Sequence, residues 1–183
     1  MNMTIILSLL VANPGPPSAE KIGFSVIGGG MTSAAKSETL CLCRNEKQLK
    51  KALGDMGITE EVQWPGDLGK GVVIVAFLGQ RRTGGYGLDP VGVYMVDYNA
   101  SHSSWNVMWN DVIVGLLEQD GIDPATVPPA PISKVRDAVV VIRETCPPKD
   151  AMVIQMITSP YVILAVPGNN LMCVHVRFVR CSQ

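Results

Sequence analysis

The chain has 183 residues, which suits one domain of ordinary size. Hydrophobic residues make up 47% and charged residues only 17%, a balance that excludes a globally disordered chain. Lys and Arg number 15 against 16 Asp and Glu, so the net charge of −1 gives no general attraction to nucleic acid or to an anionic membrane.

Residues 1–20 are apolar and then proline-rich (Asn13-Pro14-Gly15-Pro16-Pro17), and read as a leader or linker. The apolar run 4–12 is too short for a membrane span, which takes about 20 residues. It suits the core of a secretory leader, with Pro17-Ser18-Ala19 as a small-residue cleavage site. No Lys or Arg precedes Lys21, so the leader is atypical, and an ordinary N-terminal strand is the alternative. The expected compartment is extracytoplasmic, with the cytoplasm as the other option.

A strand is expected over 22–27, a flexible turn at Gly28-Gly29-Gly30 and a second strand over 38–44, together a hairpin. Asn45 then suits a helix N-cap. Leu49, Ala52, Leu53 and Met56 fall on one helical face, and Gly57 suits the helix end. Residues 71–78 form a continuous apolar run with high β-branched content, which predicts a strand buried on both faces. The loop Gly79-Gln80-Arg81-Arg82-Thr83-Gly84-Gly85 follows, with a tight-turn signal at its glycines, and then a strand-like stretch over 86–98.

Trp105, Met108, Trp109, Val112, Ile113, Leu116 and Leu117 mark a second amphipathic helix, with Ser103 or Ser104 as cap and Gly121 as closure. Residues 123–133 hold four prolines and read as an irregular surface connection. Strands are expected over 138–145, 152–158, 161–166 and 171–180. In the last, Met172, Val174, Val176 and Phe178 alternate with Cys173, His175, Arg177 and Val179, giving one buried and one mixed face. The sum is seven or eight strands and two amphipathic helices. This is an α+β fold with a mainly antiparallel, sandwich-like core.

Catalytic motifs are scarce. A dinucleotide reading of Gly28, Gly30 and Ser33 needs a helix opening at the glycines, whereas a strand is expected next. The Gly79–Gly85 loop lacks the lysine of a phosphate loop. Neither Gly-x-Ser-x-Gly nor His-Glu-x-x-His occurs. His102 reads as an exposed loop residue and His175 as an exposed strand residue. A Cys173–His175 dyad two positions apart on one strand is poorly oriented. A carboxylate pair of Glu144 with Asp150 has no distance fixed by the sequence. Glu144 alone reads as a solvated or turn-bonding residue. Cys41 and Cys43 share a strand face but have no second pair to complete a zinc site, so they read as small core residues. Trp105 and Trp109 fit the apolar stripe of their helix and read as core. No metal, no cofactor and no enzymatic activity are expected.

The stretch Val75-Ala76-Phe77-Leu78-Gly79-Gln80-Arg81-Arg82-Thr83-Gly84-Gly85-Tyr86 resembles the signature of the PrcB C-terminal domain family, an apolar strand followed by Gly, a polar spacer and Thr-Gly-Gly-Tyr. Val140-Val141-Ile142-Arg143-Glu144-Thr145-Cys146-Pro147 is similar to the family's Val-rich strand with Arg-Glu-Thr and proline. Thr158-Ser159-Pro160-Tyr161 is similar to its Thr-x-Pro-Tyr element. The resemblance covers roughly residues 71–94 and 138–167. The 44–56 helix sits where family members often carry a short helix, and about 95–133 looks like an insertion into one domain spanning 21–183. The resemblance implies a non-enzymatic accessory domain outside the cytoplasm, with a protein partner, in the named member a secreted protease whose stability it supports.

A binding surface is expected at Arg81, Arg82, Thr83, Gly84, Gly85 and Tyr86, with Glu144, Pro160 and Tyr161 in adjacent turns. Arg and Tyr are enriched at interface hot spots. On this reading, reversing the charges of Arg81 and Arg82 weakens partner capture without unfolding the domain. Two other functions fit the same features. The 79–86 loop could plug a protease active site as an inhibitor, or a pocket between the sheet and the second helix could take a small molecule.

Overall fold

The computed structural model describes residues 18–66, 68–97, 114–127, 137–168, 171 and 173–181. The expectations placed on 4–12, His102, the 103–113 part of the second helix and the prolines at 128–131 lie outside these residues. Eight strands form two four-stranded sheets. Sheet I has the order β1-β5-β6-β8, where β1 is Ser18–Ile22, β5 Gly87–Asp97, β6 Asp137–Thr145 and β8 Cys173–Val179. Sheet II has the order β2-β7-β4-β3, where β2 is Ser25–Gly30, β3 Thr39–Cys43, β4 Val72–Phe77 and β7 Tyr161–Val166. All pairings are antiparallel except β6 with β8. That parallel pair needs a crossover, and β7 in the other sheet supplies it.

Strand periodicity explains the high apolar content. Val72, Ile74 and Ala76 of β4, Ala138, Val140 and Ile142 of β6, and Val162, Leu164 and Val166 of β7 meet between the sheets. The alternate residues of the same strands point outward and are buried again. Val73, Val75 and Phe77 with Ile163 and Ala165 pack under Leu49 and Leu53 of helix α1 (Glu46–Asp55). Val139, Val141 and Tyr94 pack under Leu117 of helix α2 (Val114–Gln119). The order is helix, sheet, sheet, helix. The two central strands of sheet II and the apolar stretch of β6 are therefore covered on both faces, as the continuous apolar runs imply.

Local signals agree at several points. Asn45 caps α1 by accepting from the Gln48 N–H, and Gly57 follows the helix with φ +68°. Gly121 does the same after α2. Cys41 and Cys43 lie on one face of β3 in the cluster beneath α1.

Other expectations are corrected. Gly28–Gly30 is not a hairpin turn but the end of β2, paired with β7. β2 and β3 lie at opposite edges of sheet II. The glycines serve close approach, since a Cβ on Gly30 would lie 2.8 Å from the Tyr161 ring. Residues 152–157 form no strand, and only Thr158 makes a bridge, to Arg81. Ser18 and Ala19, read as part of a leader or linker, begin β1 and pair with β5. His175 is not exposed. Its side chain is 15% accessible, and Nε2 lies 3.5 Å from Oδ2 of the fully buried Asp137 on β6.

A polar cluster fixes α2 to sheet I. Tyr94 Oη donates to Asp120 Oδ2, and Lys21 Nζ lies 2.6 Å from Asp120 Oδ1. Burial alone would raise the Asp120 carboxyl, but the bonds from Lys21 and Tyr94 and the lysine charge hold it below its ordinary value. Burial, and then the bond to Asp120, push the Tyr94 hydroxyl well above its usual range. A carboxyl lowered in the folded state gives stability present above about pH 4 that is lost as pH falls through the folded value. Asp120→Asn should therefore be less stable than wild type at neutral pH, and the gap should shrink on acidification. Urea midpoints measured across the acid range test this, and a gap independent of pH would refute it.

Candidate functional site

The three stretches that carry the family resemblance come together at one end of the sandwich. After β4 the chain leaves sheet II through Gly79, which has φ +78° and where a Cβ would lie 2.7 Å from the Ser37 backbone, so no side chain fits without strain. The 79–86 loop is then tied down by backbone bonds. Arg81 and Thr158 exchange both N–H···O bonds, at 2.7 and 2.9 Å. The Leu78 N–H donates to the Pro160 carbonyl, and the Gly84 N–H donates to the Ile154 carbonyl, both at 2.9 Å. Thr158 Oγ1 donates to the Thr83 carbonyl at 3.1 Å.

Beneath the loop lies an ion cluster. Glu144, near the end of β6, is 5% exposed and reads as an internal counter-ion instead of a solvated turn residue. Arg81 Nε donates to its Oε1 at 2.7 Å, and an Arg180 guanidinium nitrogen donates to its Oε2 at 3.1 Å. Arg180 also pairs with Glu38. Arg81 is 22% exposed and lies 5.9 Å from the centroid of the Tyr86 ring. Both carboxylate oxygens are thus satisfied, as a buried charge requires. Arg81 belongs to the internal structure of the loop. Its reversal would place a second carboxylate against Glu144, contrary to the expectation that folding is indifferent to it.

Cys146 and Cys181 form a disulfide across this end, joining the exit of β6 to the residues after β8. Between the loop, the disulfide and residues 147–153 opens a cleft of about 1020 Å³. Arg82, Thr83, Tyr86, Pro147, Lys149 and Val153 are among its lining residues. Beside it, Met152, Ile154, Met156 and Ile157 stand exposed on the irregular segment between β6 and β7.

Of the expected binding residues, Arg81, Arg82, Thr83, Tyr86 and Glu144 line one cleft. Gly84 and Gly85 shape the turn behind it. Pro160 and Tyr161 are not on this surface. Both are buried, and Tyr161 lies in the cluster beneath α1, where its hydroxyl donates to Glu60. Of the carboxylate pair of Glu144 with Asp150, Glu144 has both oxygens engaged by arginines, and Asp150 is not among the residues lining the cleft. Sequence reasoning missed Arg180, the disulfide and the exposed 152–157 segment. The segment's apolar character read as a strand, and only the prolines at 147, 148 and 160 hinted at irregular backbone. Among the described residues no group of three or more His, Cys, Asp or Glu side chains lies together, and no helix is long and apolar enough to cross a membrane.

The two glycines of the turn differ in kind. Gly85 has φ +84°, and a Cβ there would lie 3.0 Å from the Pro147 Cβ, whereas a Cβ on Gly84 meets only ordinary contacts. Gly85→Ala should cost about 1–3 kcal/mol, and Gly84→Ala clearly less. Denaturant titration of the two variants gives the ranking, and the reverse order would overturn this account of the turn.

The chain is a two-sheet α+β sandwich with a cleft built from an anchored loop at one end. Residues 131–167 match the sequence model of the PrcB C-terminal family, bearing out the resemblance in its second half. The Thr-Gly-Gly-Tyr stretch precedes the matched residues but adjoins them in space through Thr158 and Ile154. No curated protein and no solved structure matches the chain.

Proposed function

We propose that this protein is a non-enzymatic accessory domain that binds another protein, a protease being the first candidate, and supports its stability. The single observation that carries this reading is the cluster of exposed Met152, Ile154, Met156 and Ile157 beside the cleft. Contiguous exposed apolar side chains mark interaction sites, and methionine suits adaptable contact. The match to the PrcB C-terminal family supports protease association. The Cys146–Cys181 bond supports a location outside the cytoplasm, because disulfides persist in oxidising compartments. On this reading β1 joins 21–183 in one domain, and about 95–133 is an insertion whose helix α2 packs on the outer face of sheet I.

The test is affinity capture from envelope and cytosolic fractions with the full chain and with a Met152→Asp/Ile154→Asp variant. The activity lifetime of any captured protease is then followed with and without the protein. Because both side chains are exposed, the variant should keep its stability within about 0.5 kcal/mol while losing the partner. Equal capture by both forms would exclude this surface as the binding site. Inhibition of the captured protease, in place of a longer lifetime, would instead support the inhibitor reading.

A further inference from the structure

The charge of the cleft points to the chemistry of what fills it, an inference that rests on the protein-binding reading above. Five basic side chains line it (Arg81, Arg82, Arg143, Lys149 and Arg180) against one acidic, Glu144. In a chain of net charge −1 this is a marked local excess. Arg81 and Arg180 are balanced by Glu144 and Glu38. Among the described residues Arg143 has a loose pair, 3.9 Å from the exposed Asp89. Arg82 and Lys149 are exposed and pair with no carboxylate among the described residues. The unbalanced cations come from two separate segments, the 79–86 loop and the turn after β6. Alongside them run the exposed apolar side chains of 152–157.

We propose that the cleft takes an extended acidic segment of the partner polypeptide, with carboxylates against Arg82 and Lys149 and apolar side chains against Met152 and Ile154. A cleft of about 1020 Å³ has room for several residues of peptide, near the upper end of the range of roughly 300–1,000 Å³ for small-molecule sites. Its floor is held by the Arg81–Glu144–Arg180 cluster and the disulfide, so little ordering accompanies binding. Charge at such a rim acts mainly on encounter and specificity, and is screened by salt.

The test is fluorescence anisotropy with the full chain and two labelled synthetic peptides. One alternates Glu with Leu, and the other is the same peptide with Gln at each Glu. The acidic peptide should bind more tightly, and added salt should weaken it. Arg82→Glu/Lys149→Glu should reduce its affinity by about tenfold or more, with the urea midpoint unchanged. Equal binding of the Gln peptide, or full binding by the double charge-reversal variant, would overturn the proposal. Displacement of the acidic peptide by an equal concentration of inorganic phosphate would assign the site to small anions and also overturn it. Partner capture separates the two readings. If capture is lost in Met152→Asp/Ile154→Asp but kept in Arg82→Glu/Lys149→Glu, the acidic-segment proposal falls and the accessory function stands. If both variants capture normally, the accessory reading of this surface falls as well.

Discussion

Loss of the Cys146–Cys181 bond should lower the unfolding free energy by about 4 kcal/mol, by the loop-closure relation for a sequence separation of 35. The bond joins the exit of β6 to the chain just past β8, so it constrains the edge strand of sheet I as well as one wall of the cleft. A Cys146→Ser/Cys181→Ser variant should show this loss in urea titration, and wild type in reductant should match it. Cys41 and Cys43 are free, and burial pushes the Cys43 thiol up to about 11, so little of it is the reactive thiolate at neutral pH. A Cys43→Ser variant should therefore not reproduce the effect of reductant. If the double variant is as stable as the oxidised protein, the bond has no structural role.

Glu144→Ala should destabilise the protein by about 3 kcal/mol, the lower end of the range for breaking a buried ion pair. The lower end applies because Arg180 is half exposed and can turn to solvent or keep Glu38. Arg81 has less freedom. Its backbone is locked to Thr158, and its side chain is 22% exposed. Glu144→Gln keeps the side-chain shape and one oxygen that accepts from an arginine, and should lose less than Glu144→Ala. Arg81→Glu should lose at least as much, through repulsion with Glu144. Chemical denaturation of the three variants tests the ranking, and a cost below about 0.5 kcal/mol for Glu144→Ala would mark the cluster as an ordinary surface contact.

Much of the fold was legible in the sequence because its strands are buried on both faces. The runs at 72–77, 138–142 and 161–166 are apolar at every position, a pattern that an exposed strand cannot carry. Helix α1 was legible for a different reason, since Asn45, the apolar stripe and Gly57 all signal locally. The glycine run misled because glycine signals a turn in isolation, whereas here it makes room for a tyrosine ring from β7. That reason lies far away in sequence. Residues 152–157 misled in the opposite sense, since apolar composition implied burial and the chain exposes them.

The site was half legible. Arg81, Arg82, Thr83 and Tyr86 do line a cleft, and the resemblance singled them out. What the sequence could not show is the direction in which charges point. Arg81 and Arg82 are adjacent and alike, yet one is bound inward to Glu144 and the other stands in solvent. Glu144 acquires its role through Arg81 and through Arg180, the latter from the far end of the chain. Pairings of this kind depend on which strands become neighbours, and no local pattern encodes them.

The interleaving of the two sheets bears on how the chain is made. Sheet I draws on β1, β5, β6 and β8, and sheet II on β2, β3, β4 and β7. Neither sheet is complete until the last quarter of the chain has been synthesised. During that interval β4 has β3 on one side and an open edge on the other, with six apolar residues awaiting β7. Closure of such distant pairs is slow. The nascent protein therefore passes through a stage in which a sticky, half-paired strand must be shielded, and a truncation before β7 would leave a fragment prone to self-association.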